Sequence, residues 1–91
     1  MSTKYPLTGY GLMAKRHWTE FRPQMVTELT AKGMLMEALY EAQETTLDEM
    51  ETLTLKLETE QKLTAQQAHD QAWEMIREKY ILLPAEESLS V

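Results

Sequence analysis

His17 and His69 are the only imidazoles in the 91 residues, and they are the first places to look for acid–base or metal chemistry. His17 precedes Glu20 by three residues, an H-x-x-E spacing that sets both on one helical face. A structural zinc site takes four ligands, however, and this pair offers two. The many carboxylates between residues 37 and 51 invite comparison with di-metal helical bundles, in which Glu-x-x-His motifs project inward, but here the acids fall opposite the apolar stripe. Ser2, Ser88 and Ser90 stand near the ends of the chain, away from any framework able to hold a nucleophile and its base. No cysteine is present, which excludes disulfides, cysteine-ligated zinc, iron–sulfur clusters and thiol catalysis. Gly9-Tyr10-Gly11 lacks the third glycine and the preceding strand of a dinucleotide fingerprint, and no P-loop occurs. The sequence thus nominates no catalytic, cofactor-binding or metal residue, no small-molecule substrate and no enzyme.

The remaining chemistry is electrostatic. Lys15-Arg16-His17-Trp18, with Arg22, forms a basic head whose cations can contact phosphates, and Trp18 or Tyr10 can stack on a base. Lys15, Arg16, Trp18 and Arg22 are therefore the candidate contact residues. Against nucleic acid stands the net charge of −6 and a sequence pI of about 4.8. Three or four cations sustain only a weak, salt-sensitive attraction, and Trp18 at helical spacing also suits a core. The charge is uneven: residues 1 to 33 carry five Lys or Arg and two acids, so the rest of the chain holds −9. Glu37, Glu41, Glu44, Asp48 and Glu51 follow a 4, 3, 4, 3 spacing. That stripe reads as a solvated helix face or, more sharply, as a docking strip for a basic partner or a DNA-mimicking surface.

Helices must position these residues. Thr8 is an acceptable N-cap for a first helix reaching about Phe21, with Tyr10, Ala14, His17, Trp18 and Phe21 at helical spacing. Arg22 precedes a proline, which disfavours the α conformation there and sets Pro23 at the first position of a second helix, Pro23 to Lys32. Gly33 is its left-handed C-terminal residue. Leu35, Leu39, Ala42, Thr46, Met50, Leu53 and Leu57 then mark an amphipathic helix of six turns or more. Leu47 and Leu55 fall off this stripe, and with Met50 they widen the apolar surface into a candidate association face. A turn is expected near residues 59 to 63, and Thr64 with Gln67 gives a capping-box signature for a last helix from Ala65 to Leu82, stopped by Pro84. Its stripe is Ala65, Ala68, His69, Ala72, Trp73, Ile76, Tyr80 and Leu83.

Tyr10-Gly11-Leu12-Met13-Ala14-Lys15-Arg16, then Glu20, Arg22-Pro23, Leu29, and Gly33 with Leu35, resembles the opening signature of the TnpV family of small transposon-encoded proteins. The pattern is Y-G-x-M, a basic pair, E-x-R-P and L-x-x-x-G-x-L, and it covers residues 9 to 39. The resemblance implies a small accessory or cargo protein of bacterial mobile elements and transfers no catalytic residue. Tyr10, Gly11, Met13, Glu20, Pro23, Leu29 and Gly33 form a structural signature. Glu20 and Arg22 are close enough to interact across the bend.

The expected fold is all-α: a long antiparallel helix pair with two short N-terminal helices packed across one end. Residues 8–84 form a single helical domain between a flexible N-terminus, 1–7, and a flexible acidic tail, 85–91. No apolar run approaches the roughly 18 residues that span a bilayer, and Met1 to Leu12 lacks a signal-peptide core, so the chain reads as cytoplasmic and off the membrane. The expected function is a non-enzymatic interaction protein, acting as a homodimer or on a protein partner. Weak nucleic-acid binding by the basic head is the alternative.

Overall fold

The computed structural model describes residues 5–86 and contains four helices, α1 (Gly9–Phe21), α2 (Pro23–Ala31), α3 (Leu35–Glu60) and α4 (Ala65–Tyr80), with no strand among the described residues. The all-α expectation holds. The closest packing is between α3 and α4, and α1 lies on α3, with α2 against both. No described helix is long and apolar enough to cross a membrane.

Local chemistry sets the helix ends. Pro23 occupies the first turn of α2, where its missing N–H costs nothing. At the other end Gly33 takes φ 69°, while Met34 N donates to Leu29 O (2.8 Å) and Gly33 N to Thr30 O (3.0 Å), the paired bonds of a Schellman motif. The capping box of α4 is formed: Gln67 N donates to Thr64 Oγ1 and Thr64 N to Gln67 Oε1. Between α3 and α4, Lys62 sits at φ 55°, a left-handed position usually given to glycine. The last helix ends at Tyr80, two residues before the expected Leu82.

The α3 stripe divides the core in two. Leu39 and Ala42 join Ala14, Trp18 and Ile81 in one cluster, while Met50 and Leu57 join Ala68, Ala72 and Ile76 in the other. Tyr10, Trp73 and Tyr80 touch both clusters. Gln43 and Thr46, buried on the same stripe, make the waist between them polar.

Gln43 organises the start of α1. The Thr8 side chain makes no capping bond, so the first N–H groups of the helix need another acceptor. Gln43 Oε1 supplies it, accepting from Thr8 N and from Gly11 N (3.2 Å), while its Nε2 donates to Pro6 O (3.2 Å). The approach is so close that a Cβ on Gly11 would collide with Gln43 Oε1 and lie 2.9 Å from Leu7 Cδ2. Of the segment expected to be flexible, residues 1–7, Tyr5 to Leu7 are described. Tyr5 packs on the Tyr40 ring (5.5 Å) and donates to Glu37, and Leu7 lies against the first cluster.

The chain after α4 forms a strap across the N-terminal helices. Trp18 Nε1 donates to Ile81 O (3.1 Å), His17 Nε2 to Leu83 O (2.7 Å) and an Arg22 Nη to Pro84 O (3.0 Å). Glu86 N donates to Phe21 O (2.9 Å). The Glu86 carboxylate accepts from Gln24 N and Met25 N, serving as the anionic cap of α2. Ala85 and Glu86 belong to the expected acidic tail, whose remaining residues, 87–91, lie outside the described residues.

Candidate interaction surface

The four candidate contact residues of the head separate into two pairs. Lys15 and Arg16 are exposed on the outer face of α1. Trp18 is 5% exposed with its indole N–H committed to Ile81 O, so it is a core residue and offers no face to a base. Arg22 is half-buried and bound to Pro84 O. Tyr10, the other stacking candidate, already stacks on Trp73, with ring centroids 5.2 Å apart and planes inclined by 17°. Burial pushes its phenol pKa up.

The histidine readings also resolve. His17 is held by Leu83 O and its ring lies 4.5 Å from that of Phe21, while Glu20 is exposed. His69 is exposed, with Asp70 as its nearest carboxylate at 3.9 Å. Among the described residues no three His, Cys, Asp or Glu side chains converge as a metal site would require.

Most of the structural signature has a physical reason. Gly11 makes room for Gln43, Tyr10 stacks on Trp73, and Pro23 starts α2. Leu29 accepts the Schellman bond that Gly33 permits. Arg22 turns to the strap, and the ion pairs among the described residues, His69–Asp70, Arg77–Glu74 and Lys79–Glu49, do not include Glu20 with Arg22. Met13 and Glu20 are exposed, and no contact explains their place in the signature.

On the side of α3 left uncovered by α1 and α4 lies an open groove of about 710 Å³. Its apolar lining is Tyr10, Leu47, Met50 and Leu55, and its acidic edge is Glu51 and Glu58, with His69 from α4 closing one side. Leu47 is 43% exposed and Leu55 60% exposed, whereas Met50, 4% exposed, forms part of the floor and belongs to the second core cluster. Positions 47 to 58 span three turns of α3, about 16 Å. The groove is long enough for a helix to lie along it.

A polar clamp ties α3 to α4 at the level of the waist. Glu49 accepts from the Tyr80 hydroxyl and from Lys79 Nζ (2.9 Å). The hydrogen bond from Tyr80, then that from Lys79, holds the Glu49 carboxyl below its ordinary pKa, and the same bonds raise Tyr80 and Lys79.

Sequence reasoning missed Gln43, Glu49, Ile81 and Glu86. For Gln43 a signal existed: Leu39, Gln43, Thr46 and Met50 run at 4, 3, 4 on the buried stripe, so its polarity marked a buried group in need of partners. Ile81 and Glu86 gave none, because their hydrogen bonds to the N-terminal helices reach residues more than 60 positions earlier.

Comparison with known proteins returns a family over nearly the whole length. The chain matches the model of the transposon-encoded protein TnpV over residues 1–90, well beyond the N-terminal signature. No curated protein and no solved structure matches it. Coverage of this extent assigns the long pair and the strap, as well as the opening helices, to one shared pattern: the chain belongs to the TnpV family of transposon-encoded proteins.

Proposed function

We propose that this transposon-encoded protein is a non-enzymatic interaction module that acts through protein contacts at the open face of α3. The observation that carries the reading is the groove beside Leu47 and Leu55, where large aliphatic side chains stay exposed next to a ready-made apolar floor. The competing reading, phosphate contact by the head, keeps Lys15 and Arg16 as its exposed contact cations and loses both of its stacking candidates, Trp18 to the core and Tyr10 to Trp73. Two cations supply a shallow, salt-sensitive attraction.

Light scattering across protein concentration, at low and physiological salt and with and without short single-stranded and duplex DNA, separates the two. The expected result is a mass that rises with concentration, persists at physiological salt and falls to the monomer value in Leu55→Glu. A mass that shifts only when DNA is added at low salt, and no longer does so in Arg16→Ala, overturns the reading.

A further inference from the structure

The groove on α3 is apolar along its floor and acidic along its edge. Glu51 and Glu58 line it, and Glu44 and Asp48 are exposed on neighbouring positions of the same helix. Two such grooves cannot meet face to face, because carboxylate would oppose carboxylate. The chemistry that fits is an amphipathic helix with one or two aliphatic side chains and flanking cations, laid in the groove with contacts at i, i+3 and i+4. The chain carries one. On α1, Leu12 is 55% exposed and Met13 39% exposed, and Lys15 and Arg16 follow at helical spacing with no partner among the described ion pairs. Tyr10 of α1 is itself part of the groove wall, while Leu12, Lys15 and Arg16 lie on the opposite side of that helix, turned away from the groove of their own copy. The donor face therefore needs a second copy's groove, and a two-fold axis that pairs each α1 with the other copy's groove closes the assembly. The molecule is also a slab, 46 × 43 × 14 Å, and a second copy supplies the layer it lacks.

We infer that the protein forms a reciprocal homodimer in which the exposed face of α1 from each copy, Leu12 with Lys15 and Arg16, lies in the acid-edged groove of the other, between Leu47, Leu55, Glu51 and Glu58. The inference rests on the proposed use of the α3 face and adds its occupant.

Charge exchange tests it by sedimentation or light scattering on the full chain. One variant carries Lys15→Glu and Arg16→Glu, the other Glu51→Lys and Glu58→Lys. Lys15, Arg16 and Glu51 are exposed and Glu58 is half-buried, and circular dichroism checks that both variants fold. Each variant alone is expected to dimerise roughly tenfold or more weakly than the parent. Mixed, they are expected to recover a heterodimer, because each acidic helix then meets a basic groove and each basic helix an acidic one. Failure of the mixture to recover, or a dimer indifferent to both charge sets, overturns reciprocal docking. If that dimer is still lost in Leu55→Glu, contact through the α3 face stands and only the occupant is wrong. A chain monomeric at every concentration overturns the dimer, and if Leu55→Glu changes no measured association, the reading beneath it fails as well.

Discussion

Gly11 and Gln43 form one device. The glutamine replaces the cap that Thr8 does not provide, and the glycine exists so that the amide can come close enough to do so. Gly11→Ala pushes the amide away and leaves the buried Gly11 N–H without its acceptor, which costs about 2 kcal/mol. Thermal unfolding followed by circular dichroism should show a midpoint lower by on the order of 10 °C, and an unchanged midpoint would refute the device. Thr46 is the opposite case. Its hydroxyl is fully buried at the waist and has no hydrogen-bond partner. Thr46→Val removes the desolvated hydroxyl while keeping its shape, and the expected gain is about 1 kcal/mol in urea unfolding. A loss of stability would mean that the hydroxyl has a partner in solution.

At the scale of the elements, local signals were legible and distant ones were not. Pro23, Gly33 and the Thr64–Gln67 box each act within a turn of their own position, so the ends of α2 and the start of α4 followed from spacing alone. The stripe of α3 was readable because a long regular helix repeats its message. The fate of Trp18 was only half readable: its position marked a core, but its partner, Ile81 O, lies 63 residues away. The head looked like a phosphate-binding patch because a sequence shows Arg22 as a charge and cannot show that Pro84 O already occupies it. Of the association trio, Leu47 and Leu55 could be separated from the stripe by register, but which helix left them uncovered could not. The turn between α3 and α4 carries a prediction of its own. Lys62 holds a left-handed backbone conformation without a glycine's freedom, so Lys62→Gly is expected to stabilise by about 1 kcal/mol. A drop in the urea midpoint would show that the side chain contributes more than the backbone costs.

Across the whole molecule, the long pair is closed by the Glu49 clamp, and its pH response has a definite sign. The Glu49 pKa is lowered in the folded state, first by Tyr80 and then by Lys79. Its contribution is therefore present above the unfolded carboxyl value of about 4.3 and is lost as pH falls through the lower folded value. The raised values of Tyr80 and Lys79 act the other way: their contributions are present below about 10 and are lost as pH rises through the folded values. Glu49→Gln should flatten the acid limb below about pH 4.3 in a series of urea midpoints. A slope equal to that of the parent would remove the clamp from the account of acid sensitivity.

The strap from Ile81 to Glu86 has a consequence in time. It supplies the acceptor for Trp18, the anchor for Arg22 and the cap for α2, all from residues that leave the ribosome long after the helices they complete. At about 5–20 residues per second, some 3–12 s of synthesis separate Phe21 from Ile81. Through that interval the indole and the N–H groups at the start of α2 lack their native partners, and the nascent head is an unfinished surface. The native partners of the first two helices are thus among the last residues to be made, and the head cannot complete its hydrogen bonding until residue 86 has been added.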